Sequence, residues 1–294
     1  MDEREVLSPT SDVPLDLLGP AELVEVLVAG QEHVPAVVRA ASAELAAAAE
    51  LVATAFLAGG RIVLLGAGTS GRLAAMEAAE LPGTFGIPAD RVLARVAGAG
   101  PDRPMGADGA EDDADLGRAD VGHLGMTGDD VLVAVAASGT TPYTLAAATT
   151  ARSAGAGVIA VANVAGSPLA ATADVAIELP TGAEVVIGST RLAAGSAQKL
   201  ALNTLTTAAM VRAGRVHGRF MVDVVPANAK LVRRVADLVA ESCDVDADTA
   251  VAALGRCGND PRVAIVHLLT GLPPHEAARR AAEHRTVRAA ASAG

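Results

Sequence analysis

Two short stretches of the chain place glycine and hydroxyl side chains directly after apolar runs. Arg61-Ile62-Val63-Leu64-Leu65 leads into Gly66-Ala67-Gly68-Thr69-Ser70-Gly71, and Val131–Ala137 leads into Ser138-Gly139-Thr140-Thr141-Pro142. The first loop fits G-x-G-x-x-G, a pattern with two chemical meanings. A dinucleotide site requires an acidic residue roughly 20 positions on, at the end of the next strand, to hold the ribose. The nearby acid is Asp90, which precedes the expected strand 91–97 instead of ending it. The other meaning is a phosphate at a helix start, where free N–H groups and the positive end of the helix dipole face the anion. Thr69 and Ser70 add hydroxyl donors at the first loop, and Ser138, Thr140 and Thr141 at the second. The same residues also make ordinary N-caps, the better reading for one loop alone. Two such loops on one sheet edge favour a phosphate site.

These loops need strands and helices to hold them. RIVLLG (61–66), RVLARVAG (91–98), VLVAVAA (131–137), GVIAVAN (157–163) and DVAIELP (174–180) read as buried strands. Helices are expected at 20–30 with Pro20 at N1, at about 33–58 closed by Gly59-Gly60, and at 70–80, 142–154 and 190–213. Residues 1–19 read as irregular, and 100–120 as a loop leading into a short helix. After Gly218 no strand pattern recurs, and helical segments fall at about 227–242, 246–255, 261–270 and 274–284. The fold expected is α/β, a doubly wound and mostly parallel sheet. Its domains would be an N-terminal helical segment (1–59), the α/β core (60–218) and a small C-terminal helical subdomain (219–294). Both hydroxyl-rich loops then lie at carboxyl ends of strands, the ligand-binding edge of such sheets.

Composition narrows the ligand. Of 294 residues 51% are hydrophobic, yet there is no Trp, one Tyr and three Phe. So few rings argue against stacking single-stranded nucleic acid, and a net charge of −11 argues against a polyanion partner. A small anion is still compatible, because local dipoles outweigh net charge. Cys243 and Cys257, with thirteen residues between them, read as free thiols. The six histidines form neither H-x3-H nor H-E-x-x-H, so no metal is expected. The acidic start MDEREVLSPTSD is unlike a signal peptide, and no run of about 20 uncharged residues suggests a membrane span. A cytoplasmic protein is expected.

The runs GAGTSGRL (66–73), AAELPGTFG (78–86), GAED (109–112), AASGTTPY (136–143), EVVIGSTRLAAGSAQKLALN (184–203) and MVDVV (221–225) resemble the N-acetylmuramic acid 6-phosphate etherase family. Their order and spacing hold from about residue 60 to 235. The resemblance implies the sugar isomerase (SIS) fold, a homodimer, and a reaction without metal or cofactor. That reaction cleaves the lactyl ether at C3 of the amino sugar, giving N-acetylglucosamine 6-phosphate and D-lactate. It implies Glu80 as the proton-donating glutamate and Glu111 as the second catalytic one. The candidate binding set is Gly68, Thr69, Ser70, Ser138, Gly139, Thr140, Thr141 and Ser189. The chain departs from the family pattern in its first segment, at Thr140 where Arg is usual, at Leu192-Ala193, and at Arg219. These changes touch the sugar or lactyl side.

Glu80 precedes Leu81-Pro82, which is expected to end its helix. A carboxylate at that negative end is biased toward its protonated form, as a general acid requires. On residues alone it reads as readily as a surface glutamate, like Glu77 a turn earlier. Glu111 also fits a capping box, Asp108-Gly-Ala-Glu111, and it is the matched spacing, 31 residues beyond Glu80, that assigns it to the site. Arg72 and Arg191 read as anion ligands or as solvated cations. Lys199 reads as outward-facing or paired, and Glu184 stays open. Two other classes compete with the lyase: an aldose–ketose isomerase on the same fold, and a non-catalytic sugar-phosphate sensor.

Overall fold

The computed structural model describes residues 14–107, 109–224 and 229–293. The expectation for residues 1–13 and the Asp108 cap lie outside the described residues. The chain forms two compact units. The first comprises the residues up to Ala78 together with Leu93–Thr206, and the second comprises Ala79–Val92 and Thr207–Gly294.

The first unit is built on β1 (Ile62–Gly66), β2 (Val92–Val96), β3 (Val131–Ala136), β4 (Gly157–Ala162) and β5 (Val175–Glu178), in sheet order β2-β1-β3-β4-β5. β1, β3, β4 and β5 pair in parallel. Every residue of β1 and β3 is buried, as continuous Val/Leu/Ile runs require when helices cover both faces. The chain moves from β1 outward to β2 and returns to the other side of β1 as β3. The strand order therefore reverses between β1 and β3, the switch point where ligands bind such sheets. Register pairs Gly66 with Val135, so the two loops leave the sheet side by side.

Most helices match their sequence signals. α1 (Pro20–Ala29) has Pro20 at N1, and Glu22 accepts the Gly19 N–H. The expected helix over 33–58 is instead two, α2 (Val34–Ala40) and α3 (Ser42–Leu57), broken at Ala41 where ψ is 21°. Ser42 at the break donates its hydroxyl to the Arg39 carbonyl, a local bond that competes with the helix ladder. α4 (Gly68–Phe85) begins two residues early and runs past Pro82 for another three. Proline there removes one N–H from the ladder without ending the helix. Between β2 and β3 lie a 3-10 turn (Ala110–Asp112) and α5 (Ala114–Leu124), capped by Asp113. α6 (Pro142–Ser153), a short α7 (Pro168–Thr172) that sequence reading missed, and α8 (Ala193–Arg212) complete the set. Alanines of α6 pack on Val63, Leu65, Leu132 and Val158 without large side chains, which compensates for the scarcity of aromatic rings.

The second unit holds α9 (Ala229–Cys243), α10 (Ala247–Arg256), α11 (Pro261–Thr270), α12 (Pro274–Glu283) and α13 (Val287–Ser292). Asp246, Asp260 and Thr286 each cap a helix by accepting an N–H three residues on. A two-stranded hairpin, β6 (Val216–His217) with β7 (Phe220–Met221), was not legible, because two residues per strand carry no periodicity. Its core is Val222, Val239, Ile265 and Val266 among others. Arg262 grips both Asp223 oxygens at 2.8 Å.

Candidate active site

The first loop is shaped by three glycines with different duties. A Cβ on Gly66 would lie 2.7 Å from the Val135 carbonyl, and one on Gly71 would lie 2.4 Å from the Gly66 carbonyl. Strand and helix thus approach closer than any side chain allows. Gly68, at φ +52°, opens α4, so Thr69 and Ser70 fall within its first turn.

In the second loop Gly139 has φ +67°, and a Cβ there would lie 2.3 Å from the Ser167 hydroxyl. Ser138 Oγ accepts from the Thr140 N–H at 3.2 Å and from its hydroxyl at 2.9 Å. Thr141 is the N-cap of α6 but makes no side-chain cap bond. Its hydroxyl is therefore not consumed by capping. The next residue but one, Tyr143, is fully buried and donates to Asp120 at 2.6 Å. Burial first, then that bond, raises its phenol pKa. This fixes the start of α6 against α5.

The hydroxyls of the first loop face different ways. Ser70 is buried and donates to Gln198 Oε1 at 2.9 Å. Gln198 in turn donates to Asn163 Oδ1 at 2.9 Å, and Asn163 donates to the Leu179 carbonyl at 3.1 Å. This buried chain links the start of α4 to α8 and to the end of β4. Sequence reading missed Gln198 and Asn163; a polar Gln198 in the alanine-rich AGSAQKLAL run was the available signal. Thr69 lines a different cavity, of about 390 Å³, with Arg191, Lys199 and Asn203.

Glu111 is positioned by the loop that follows β2. That loop folds back on its own strand: the Ala107 N–H donates to the Ala97 carbonyl at 3.2 Å. Gly98 and Gly106 permit this with φ of +67° and +94°. The exposed Glu111 then lines a cavity of about 120 Å³ with Gly68, Arg72 and Gly109. Arg72 Nε donates to the Met105 carbonyl at 3.3 Å.

Glu80 is exposed on α4. Its expected place at the helix end is corrected: the helix continues for five more residues, through Phe85, because Pro82 is accommodated inside it. The helix-end reason for a protonated Glu80 therefore falls. Glu77, expected on the surface, is 3% exposed. It accepts from Asn203 Nδ2 at 2.6 Å and from the Thr206 hydroxyl at 2.5 Å, with Lys199 Nζ at 3.5 Å. Glu184 is also buried, and its two oxygens accept the Ala193 and Ala194 N–H groups at 2.9 Å, capping α8. Ser189 is half-buried in the turn before α8, where its N–H donates to the Val186 carbonyl.

A five-stranded, mostly parallel sheet in this order, with hydroxyl-rich loops at the switch point, is a doubly wound α/β architecture, and the family models assign it to the SIS class. Two SIS domain models match residues 29–163 and 122–208. A phosphoheptose isomerase from Francisella tularensis superposes with TM-score 0.51 at 17% identity, covering 66% of this chain and 100% of its own, a likeness of fold alone. The chain belongs to the N-acetylmuramic acid 6-phosphate etherase family. It is 47% identical to the Deinococcus radiodurans member over 90% of this chain and 87% of that one. It is 42% identical to the Rubrobacter xylanophilus member over 100% and 99%. Among the described residues no single helix is long and apolar enough to cross a membrane.

Proposed function

We propose that the protein is a carbon–oxygen lyase that cleaves the C3 lactyl ether of N-acetylmuramic acid 6-phosphate, releasing N-acetylglucosamine 6-phosphate and D-lactate. The observation that carries this reading is the switch point: the loops after β1 and β3 run side by side, and Glu111 shares a cavity with Gly68 of the first. The 6-phosphate is received by the N–H groups at the starts of α4 and α6, with Ser138, Gly139, Thr140 and Thr141 completing its surroundings, while Thr69 faces the separate cavity beside α8. Ser70 holds the first loop in shape through Gln198, and Ser189 stands in the turn that feeds α8.

Opening of the sugar ring exposes a C1 aldehyde, which acidifies the C2 proton. Glu111 removes that proton. The electron pair forms the C2–C3 double bond and expels the lactyl oxygen, which takes a proton from Glu80. Water then adds to C3 of the unsaturated aldehyde with Glu80 as base, and C2 is reprotonated. The protein acts in the cytoplasm as a homodimer; exposed Val24, Val28, Leu57, Met76 and Leu200 offer apolar area for a second copy. Light scattering is expected to give twice the chain mass, and a fully active monomer overturns the dimer.

The test is incubation with N-acetylmuramic acid 6-phosphate and with the same sugar lacking phosphate, in labelled water. The phosphorylated sugar is expected to release D-lactate far faster. Solvent deuterium is expected at C2 and labelled oxygen at C3 of the amino sugar. Label in the lactate hydroxyl means that the other C–O bond breaks and overturns the mechanism. Equal turnover of both sugars overturns the phosphate site.

A further inference from the structure

We propose that Arg72 is the receptor for the carboxylate of the ether's lactyl group and thereby sets the enzyme's preference for an acidic leaving group. This rests on the lyase reading above. The substrate carries two anions on opposite sides of the sugar, the 6-phosphate and the lactyl carboxylate. Backbone N–H groups and hydroxyls at the two loops serve the phosphate, and no cationic side chain belongs to either loop. The carboxylate needs its own partner. Its place is constrained by chemistry: the ether is at C3, one bond from the C2 whose proton Glu111 takes. The receptor must therefore line the cavity that Glu111 lines. Among the described residues of that cavity Arg72 is the one cation.

Its setting suits the role. Arg72 lies one turn beyond Gly68 on α4, so the helix places it on the same face as the opening of the first loop. The bond from Nε to the Met105 carbonyl anchors the guanidinium by its inner nitrogen and leaves both terminal nitrogens as a fork for a carboxylate. No carboxylate among the described residues pairs with Arg72, whereas Arg61, Arg118, Arg152, Arg262 and Arg279 each hold one. A cation with no carboxylate partner among the described residues, beside the base of a site for a carboxylic acid ether, has a partner in the substrate.

Three ligands separate this role from its rivals: N-acetylmuramic acid 6-phosphate, its lactyl amide, which is neutral, and the product N-acetylglucosamine 6-phosphate. Wild type is expected to prefer the acid over the amide by roughly ten- to hundredfold in kcat/KM, the scale of a hydrogen-bonded charge pair. Arg72→Met is expected to bring that ratio close to one, mainly through KM for the acid, and Arg72→Lys to recover part of it. Calorimetric binding of N-acetylglucosamine 6-phosphate is expected to change less than about threefold in Arg72→Met, within the scatter of a lost surface contact. An unchanged acid-to-amide ratio in Arg72→Met overturns the proposal, as does loss of product binding with that ratio kept, which assigns Arg72 to the phosphate. If Arg72→Met fails to fold, the same ratio in Arg72→Lys and the wild-type preference decide; a wild type indifferent to the amide overturns the proposal. Wild type that binds N-acetylglucosamine 6-phosphate yet releases no lactate overturns the lyase reading instead. In that case binding of N-acetylmuramic acid 6-phosphate against the product, with and without Arg72, still decides the carboxylate receptor: equal affinities in both proteins overturn it.

Discussion

The two glutamates assigned to proton transfer are both exposed carboxylates on different supports, Glu111 on a 3-10 turn and Glu80 on a long helix. Glu80→Gln and Glu111→Gln keep size and polarity and remove the titratable carboxyl. Each is expected to lower kcat by roughly a hundredfold or more, the usual scale for a general acid or base. Product binding by calorimetry should stay intact, and retention of wild-type kcat removes the residue from the mechanism. Around Ser70 the expectation differs, because that hydroxyl is buried against Gln198. Gln198→Leu leaves the Ser70 hydroxyl and Asn163 Oδ1 buried without their partner. This should cost about 2–6 kcal/mol of unfolding free energy, at about 1–3 for each stranded group. Denaturant melts measure it, and a loss below 0.5 kcal/mol, the scale of a neutral surface change, shows that water replaces the amide.

At the scale of elements, the strands and most helices were legible because buried parallel strands read as unbroken apolar runs and helices carry Pro and Asp at their starts. The switch point was legible only in part. The two loops could be found by their Gly, Ser and Thr residues, but their adjacency rests on the pairing of β1 with β3 across about 70 intervening residues. The break at Ala41 left no mark in an alanine-rich run, and the Pro82 signal misled about the end of α4. The largest misreading was Glu77. A glutamate among alanines suggests a solvated face, and only the facing Lys199, Asn203 and Thr206 of α8 make its burial tolerable. Glu77 therefore ties α4 to α8. Glu77→Ala removes the buried acceptor that Asn203, Thr206 and Lys199 share and is expected to destabilise by about 3–5 kcal/mol. Glu77→Gln, which preserves two of the contacts, is expected to lose less. A melting temperature within a degree of wild type for Glu77→Ala would show that the tie contributes nothing.

For the whole molecule, with a net charge of −11, acidification first relieves repulsion among excess carboxylates and then removes the few that stabilise the native state. Asp130 is the clearest of the second kind. It precedes β3 and accepts from the Arg61 N–H at 2.7 Å, from the Arg61 Nη2 at 2.7 Å and from the Thr127 N–H at 2.9 Å. Burial opposes its charge, but these bonds outweigh burial and hold its pKa at about 2, against 3.8 ordinarily. Arg61 precedes β1, so the pair clamps the amino ends of the two strands whose carboxyl ends carry the proposed site. A carboxyl whose folded pKa lies below its unfolded value contributes stability above the unfolded pKa and loses it as pH falls through the folded one. The contribution is about 2 kcal/mol, present at pH 5 and above and fading between about pH 4 and pH 2. Asp130→Asn is expected to lower unfolding free energy by at least that amount at pH 7, since the Arg61 guanidinium also loses its partner. The gap to wild type should narrow as pH falls from about 4 to 2, while kcat and KM below the variant's melting temperature stay unchanged because the clamp lies at the far edge of the sheet. Unfolding curves recorded across that pH range decide it: a gap that stays constant from pH 7 to pH 2 would mean that the Asp130 charge contributes nothing and that the neutral hydrogen bonds alone hold the two strands.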